Sequence, residues 1–144
     1  MNYRQGGKAN AADRPIFSLI AAAHALEAKL ESALNRAGLS TPKFSVLSQL
    51  VSEEASMSLS ELASRLSCVR SNMTQLVDRL EAEGLARRVD DPADRRGVKA
   101  EITEVGRDRQ AAGAHEVAKL DAEFAANSAV EDRAAFERLL LALK

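Results

Sequence analysis

Residues 58–84 read SLSELASRLSCVRSNMTQLVDRLEAEG, and this stretch decides the fold. Ser58 and Glu61 stand at the S-x-x-E spacing of a capping box, in which each side chain satisfies an otherwise orphaned backbone donor at a helix start. A short helix is therefore expected from Ser58 to about Leu66. After Ser67 and Cys68, the apolar residues Met73, Leu76, Val77 and Leu80 recur at i, i+3, i+4 and i+7, and Gly84 supplies a C-terminal stop. The opposite face of this second helix carries Arg70, Ser71, Asn72, Gln75 and Arg79. Two helices joined by so few residues must cross sharply, which is the spacing of a helix-turn-helix.

Beyond Gly84 the period of the pattern changes from helical to two. Leu85 to Val89 reads as a strand, Asp90 to Gly97 (DDPADRRG) as a charged turn, and Val98, Ala100 and Ile102 alternate with Lys99 and Glu101. The expectation is a hairpin with a long basic tip. Upstream, Asp13 is a candidate N-cap with Pro15 close behind it, and Ile16, Leu19, Ile20, Ala23, Leu26, Leu30 and Leu34 form an apolar stripe that ends at Gly38. A following helix is capped by Ser40 or Thr41, has Pro42 in its first turn, and buries Phe44, Leu47, Leu50 and Val51 before ending near Ser52. Downstream, Thr103 caps a helix bearing Val105, Val117, Leu120 and Phe124. Ser128 and Glu131 suggest a second capping box, for a last helix with Phe136, Leu139, Leu140 and Leu143. Residues 1–12 read as a flexible tail and 13–144 as a single domain, with a central lobe at 40–103 and flanking helices at 13–38 and 104–144.

Composition fits one mainly helical domain. The 144 residues include 46% hydrophobic and 28% charged side chains, with only 3% aromatic residues and no tryptophan. The longest run without a charged side chain is Pro15 to Leu26, 12 residues, which is short of the roughly 20 that span a bilayer. No membrane partner is expected, and a cytoplasmic location follows as the default. A single cysteine, Cys68, excludes an intramolecular disulfide and a multi-cysteine zinc cage. His24 and His115 alone make a poor metal site. Asp90, Asp91 and Asp94 belong to a turn, and no nucleophile elbow or phosphate-cradling loop is present, so neither catalysis nor a cofactor is expected. The formal net charge of −1 gives no global attraction to nucleic acid. Its distribution is more telling, because seven of the fourteen arginines (65, 70, 79, 87, 88, 95 and 96) fall within 32 consecutive residues. Arginine suits bidentate contacts to phosphate and guanine, although interleaved acids leave a salt-bridged surface as the alternative.

Helix, turn, helix and hairpin together describe an all-α domain with a small β-hairpin wing, a winged helix-turn-helix. Such a helix fits the major groove of double-stranded DNA, where Arg70, Asn72 and Gln75 have the chemistry to read bases and Ser71 and Thr74 suit phosphates or base edges. Arg79 is placed for a phosphate or an intramolecular contact. Arg95 and Arg96 at the hairpin tip suit a neighbouring minor groove.

The run from SLSELASRL through SNMTQLVDRLEAEGLARRVDDPADRRGVKAEITEVGR closely resembles the DNA-binding core of the MarR family, the multiple-antibiotic-resistance type of bacterial transcriptional regulator. The signature combines LVDRLE-x-x-GL, a wing reading D-P-x-D-R-R and a following I-T-x-x-G, and it spans about Leu39 to Arg107. The resemblance implies a homodimer, held by the flanking helices, that binds pseudo-palindromic operators, commonly as a repressor released by a small-molecule effector or by thiol oxidation. It places base reading on Arg70, Ser71, Asn72, Thr74 and Gln75, and the minor-groove arginine on Arg95 or Arg96, with Asp94 as the acid that orients it. Val69 departs from the family's serine or threonine ahead of the recognition helix and cannot cap, which leaves that task to Ser67 or Ser71. Two alternatives accompany this reading: a redox regulator switched through Cys68, and a winged-helix protein-interaction module.

Overall fold

The computed structural model describes residues 14–53 and 56–144. The elements run α1 (Pro15–Arg36), α2 (Thr41–Ser52), β1 (Ser56–Ser58), α3 (Leu59–Arg65), α4 (Arg70–Ala82), β2 (Ala86–Asp91), β3 (Asp94–Ile102), α5 (Glu104–Ala126) and α6 (Val130–Ala142). Asp13 and the tail at 1–12 lie outside the described residues. The helix-turn-helix is α3 and α4, and the wing is β2 and β3. Sequence reading missed β1, a three-residue strand that pairs antiparallel with β3 (Met57 opposite Ala100) and makes a sheet of order β1-β3-β2. Three residues are too few for an alternating pattern to be legible.

The core is a cluster from α1's last turn, α2, α3, α4 and the sheet, including Leu34, Val46, Leu47, Leu50, Leu62, Met73, Val77, Leu80, Leu85 and Ala100, all at zero exposure. On α2 the buried stripe is Val46, Leu47 and Leu50, with Phe44 packed at its edge; the expected Val51 is exposed. Gly113 of α5 lies so close to α2 that a Cβ there would stand 2.8 Å from Phe44 Cδ2, which explains why α5 crosses at this point. Gly106 is tighter still, since a Cβ would come within 1.9 Å of the Leu85 carbonyl oxygen.

The caps follow their chemistry with three corrections. Ser40, Ser58 and Thr103 each accept the backbone N–H three residues on, at Lys43, Glu61 and Gly106. The Glu61 carboxylate, however, binds Arg65 rather than closing a capping box. At α4, neither Ser67 nor Ser71 caps: Val69 occupies the N-cap without a side-chain bond, and Ser67 instead turns the chain with φ of 50°. At α6 the N-cap is Ala129, because the Ser128 hydroxyl donates to the Phe124 carbonyl at 2.8 Å and is drawn back onto α5. Every described residue of α1 up to Lys29 is exposed, and α6 buries nothing. Among the described residues no helix is long and apolar enough to cross a membrane.

Candidate nucleic-acid interface

Burial of Met73, Val77 and Leu80 fixes the inner face of α4, and helical periodicity then turns Arg70, Ser71, Asn72, Gln75 and Arg79 outward, all exposed. Thr74 is half-buried, and its hydroxyl donates to the Arg70 carbonyl at 3.1 Å, so it is less available than the others. Arg70 leans toward α3, where its Nη1 donates to the Ser60 hydroxyl.

The wing differs from the expected long loop. Strands β2 and β3 continue almost to the tip, leaving only Pro92 and Ala93 between them, but the register jumps: Asp90 faces Val98, while Asp91 faces Asp94. Arg95, Arg96 and Gly97 therefore bulge out of β3 with no partner residues on β2. Gly97 permits the bulge to close, since a Cβ there would lie 3.0 Å from both the Asp91 and Asp94 Cβ atoms. Asp94 does not grip an arginine side chain. Its Oδ1 accepts the backbone N–H of Arg96 at 3.0 Å, the short-range bond of an Asx turn, so it shapes the bulge and leaves the guanidinium groups outward.

The arginine-rich window divides into two groups. Arg65 is engaged by Glu53 and Glu61, Arg87 by Glu101, and Arg88 by Glu81 and Asp78. The hydrogen bond that Arg65 donates to Glu53 holds its guanidinium above the ordinary pKa, and the one that Arg87 donates to Glu101 does the same there. Partial burial disfavours the charge on Arg88, but the carboxylates of Asp78 and Glu81 outweigh it and raise its pKa. In return, the Arg88 backbone N–H and then its guanidinium keep the Glu81 carboxyl below its usual value. Arg79, Arg95 and Arg96 are exposed and, among the described residues, enter no ion pair. The salt-bridged reading of this surface thus holds for three arginines and fails for the recognition face and the wing tip. Arg88 was legible only as one of a cluster, because the carboxylates that engage it lie seven and ten residues away.

The remaining candidates are quieter. Cys68 is half-buried against the core, with its Sγ 3.5 Å from the Val69 carbonyl, and packs as a small apolar side chain. His24 and His115 are exposed, and the described residues contain no group of three or more His, Cys, Asp or Glu able to hold a metal. Between α1, α5 and α6 lies a cavity of about 490 Å³ whose lining is mostly apolar, with Leu26, Leu30, Val117, Leu120, Phe124 and Phe136, but also includes Lys29, Asp121, Glu123 and Asn127. The Phe124 and Phe136 rings pack with centroids 5.9 Å apart.

Residues 39–98 match the MarR family model. Over 91 residues, 63% of this chain and 46% of the relative, the sequence is 40% identical to the HTH-type transcriptional regulator TtmR of Methylorubrum extorquens. A regulator of Bacillus subtilis, YkoM, is 36% identical over 69 residues, 48% of this chain and 44% of its own. The chain thus spans about half the length of the curated relatives it matches. Among solved structures, a mutant MarR from E. coli complexed with operator DNA superposes with a TM-score of 0.78 at 26% identity, covering 90% of this chain and 94% of that one. An organohalide-sensing transcriptional regulator in its 2,4-dichlorophenol-bound form shares the fold at a TM-score of 0.80 and 18% identity, covering 99% and 85%. The likeness to the MarR family thus covers residues 39–98, within a winged helix-turn-helix fold that extends over nearly the whole chain.

Proposed function

We propose that this chain is a sequence-specific, double-stranded-DNA-binding transcriptional regulator of the cytoplasm, acting as a homodimeric repressor of an inverted-repeat operator. The observation that carries the reading is the division of the arginines: Arg65, Arg87 and Arg88 are engaged by carboxylates, whereas Arg79 on α4 and Arg95 and Arg96 on the wing bulge are exposed and, among the described residues, enter no ion pair. In this reading Arg70, Ser71, Asn72, Thr74 and Gln75 address the major groove, Arg79 a phosphate, and Arg95 or Arg96 the adjacent minor groove, with Asp94 shaping the bulge that presents them. Helices α1, α5 and α6 hold the two copies together, and a two-fold axis sets the recognition helices one DNA turn apart, about 34 Å.

An apolar effector fits the same frame. The cavity of about 490 Å³ between α1, α5 and α6 has the size of a small-molecule site, and a structural neighbour is known in a dichlorophenol-bound form. An effector that binds better to a dimer with the wrong helix spacing lowers DNA affinity by that difference alone.

Selection from a randomised duplex pool, with an Arg70→Ala/Arg95→Ala variant at the same salt concentration, tests the reading. The expected outcome is an enriched inverted repeat that the variant no longer retains. Absence of enrichment would remove the DNA-binding assignment and favour a winged helix that engages a protein partner.

A further inference from the structure

Arg88 lies on β2 but spends its hydrogen bonds on α4. Its backbone N–H donates to Glu81 Oε1 at 3.0 Å and its Nη1 to Glu81 Oε2 at 2.6 Å; its Nη2 donates to Asp78 Oδ1 at 2.5 Å and to the Thr74 carbonyl oxygen at 3.4 Å. Thr74, Asp78 and Glu81 follow one another at spacings of four and three, so they line a single face over about two turns of helix. One planar guanidinium thus joins two turns of the recognition helix to the strand that ends three residues later, at Asp91, where the register jumps opposite the wing bulge.

The two carboxylates are otherwise out of place. Negative side chains on a helix that approaches a polyanion weaken association, and Asp78 and Glu81 share α4 with Arg70 and Arg79. We infer that Arg88 is a positioning residue: fastened to Asp78 and Glu81, it sets the angle between recognition helix and wing so that both reach DNA together. DNA affinity then depends on two acids and an arginine that touch no DNA. The inference rests on the DNA-binding reading and adds to it a device that joins major-groove and minor-groove contacts.

The test turns on a sign. If Asp78 and Glu81 act only through charge, or if Arg88 is itself a phosphate contact that they restrain, the isosteric variant Asp78→Asn/Glu81→Gln binds the selected operator more tightly. If they position the wing, the same variant binds more weakly, by about tenfold or more, despite carrying less negative charge. Its salt dependence should also flatten toward that of Arg95→Ala/Arg96→Ala, by up to roughly three to four units of log–log slope for the four wing arginines of a dimer. Adding Arg95→Ala/Arg96→Ala to it should then cost little more. Arg88→Lys, which keeps the charge but not the fork, should show the same loss. Thermal melts of each variant confirm that binding is measured on folded protein. Tighter or unchanged binding by Asp78→Asn/Glu81→Gln, or a fully additive loss with the wing variant, overturns the positioning role while leaving DNA recognition intact. A wild-type chain that selects no duplex overturns both.

Discussion

The central lobe and the terminal helices obey different rules of burial. Among the described residues, every buried hydrophobic side chain lies between Ala33 and Ile102, drawn mainly from α2, α3, α4, the sheet and the last turn of α1. Outside that span, Ile16 is 69% exposed and Leu141 70%, with Phe17, Leu26, Phe124, Leu139 and Leu143 also open. The lobe is a finished core. The terminal helices carry the residues of a core without its closure, as expected of surfaces completed by a second copy.

Equal truncations on the two sides break this symmetry of composition. Leu62→Ala, at zero exposure, should destabilise the fold by about 3 kcal/mol in chemical denaturation. Leu141→Ala should leave the lobe within about 0.5 kcal/mol and instead raise the protein concentration needed to reach a given melting temperature. A Leu141→Ala loss as large as that of Leu62→Ala would mean that α6 is already packed within one protomer. Charge makes a sharper probe of the open face: Leu139→Asp/Leu141→Asp should convert the proposed dimer to a monomer in sedimentation, keep the helical signal of the lobe, and lower affinity for a selected operator by roughly a hundredfold, as expected when one of two linked half-site contacts is lost. A dimer that survives this pair would place the interface elsewhere.

The smallest effect lies at the seam between the two regions. Glu31 of α1 accepts both the Thr41 hydroxyl at 2.6 Å and the Thr41 backbone N–H at 2.9 Å, and these bonds, the hydroxyl first, hold its carboxyl below the ordinary glutamate pKa. A carboxyl depressed in the folded state contributes stability above its unfolded pKa and loses that contribution as pH falls through the folded value. Glu31→Ala should therefore melt below wild type at neutral pH, and the two melting curves should converge below about pH 4. A gap that persists in acid would show that the seam is held by packing alone.

The lobe was legible in sequence because its signals are local. Ser40, Ser58 and Thr103 announce helix starts, Gly84 a stop, and the spacing of Met73, Val77 and Leu80 a buried face, all within a few residues of what they control. Where several partners compete for one side chain, or where the partner lies on another strand or helix, sequence reading failed. Asp94 looked like the acid for a wing arginine, yet a backbone N–H two residues away satisfies it first. Ser128 had the spacing of a cap but found the α5 carbonyl. The wing tip looked long because DDPADRRG holds many turn formers, whereas its real character is a register jump that only the paired strand defines. Arg88 illustrates the same limit, since its role depends on how β2 lies along α4.

The sharing out of the arginines also bears on the search for a target. A genome offers about a million or more competing random sites, and attraction to them scales with the phosphates a protein neutralises. A chain of net charge −1, whose Arg65, Arg87 and Arg88 are already neutralised by its own carboxylates, has little to offer random DNA. For the proposed regulator, few copies would then be sequestered away from an operator, and a modest cellular supply would suffice to keep it occupied.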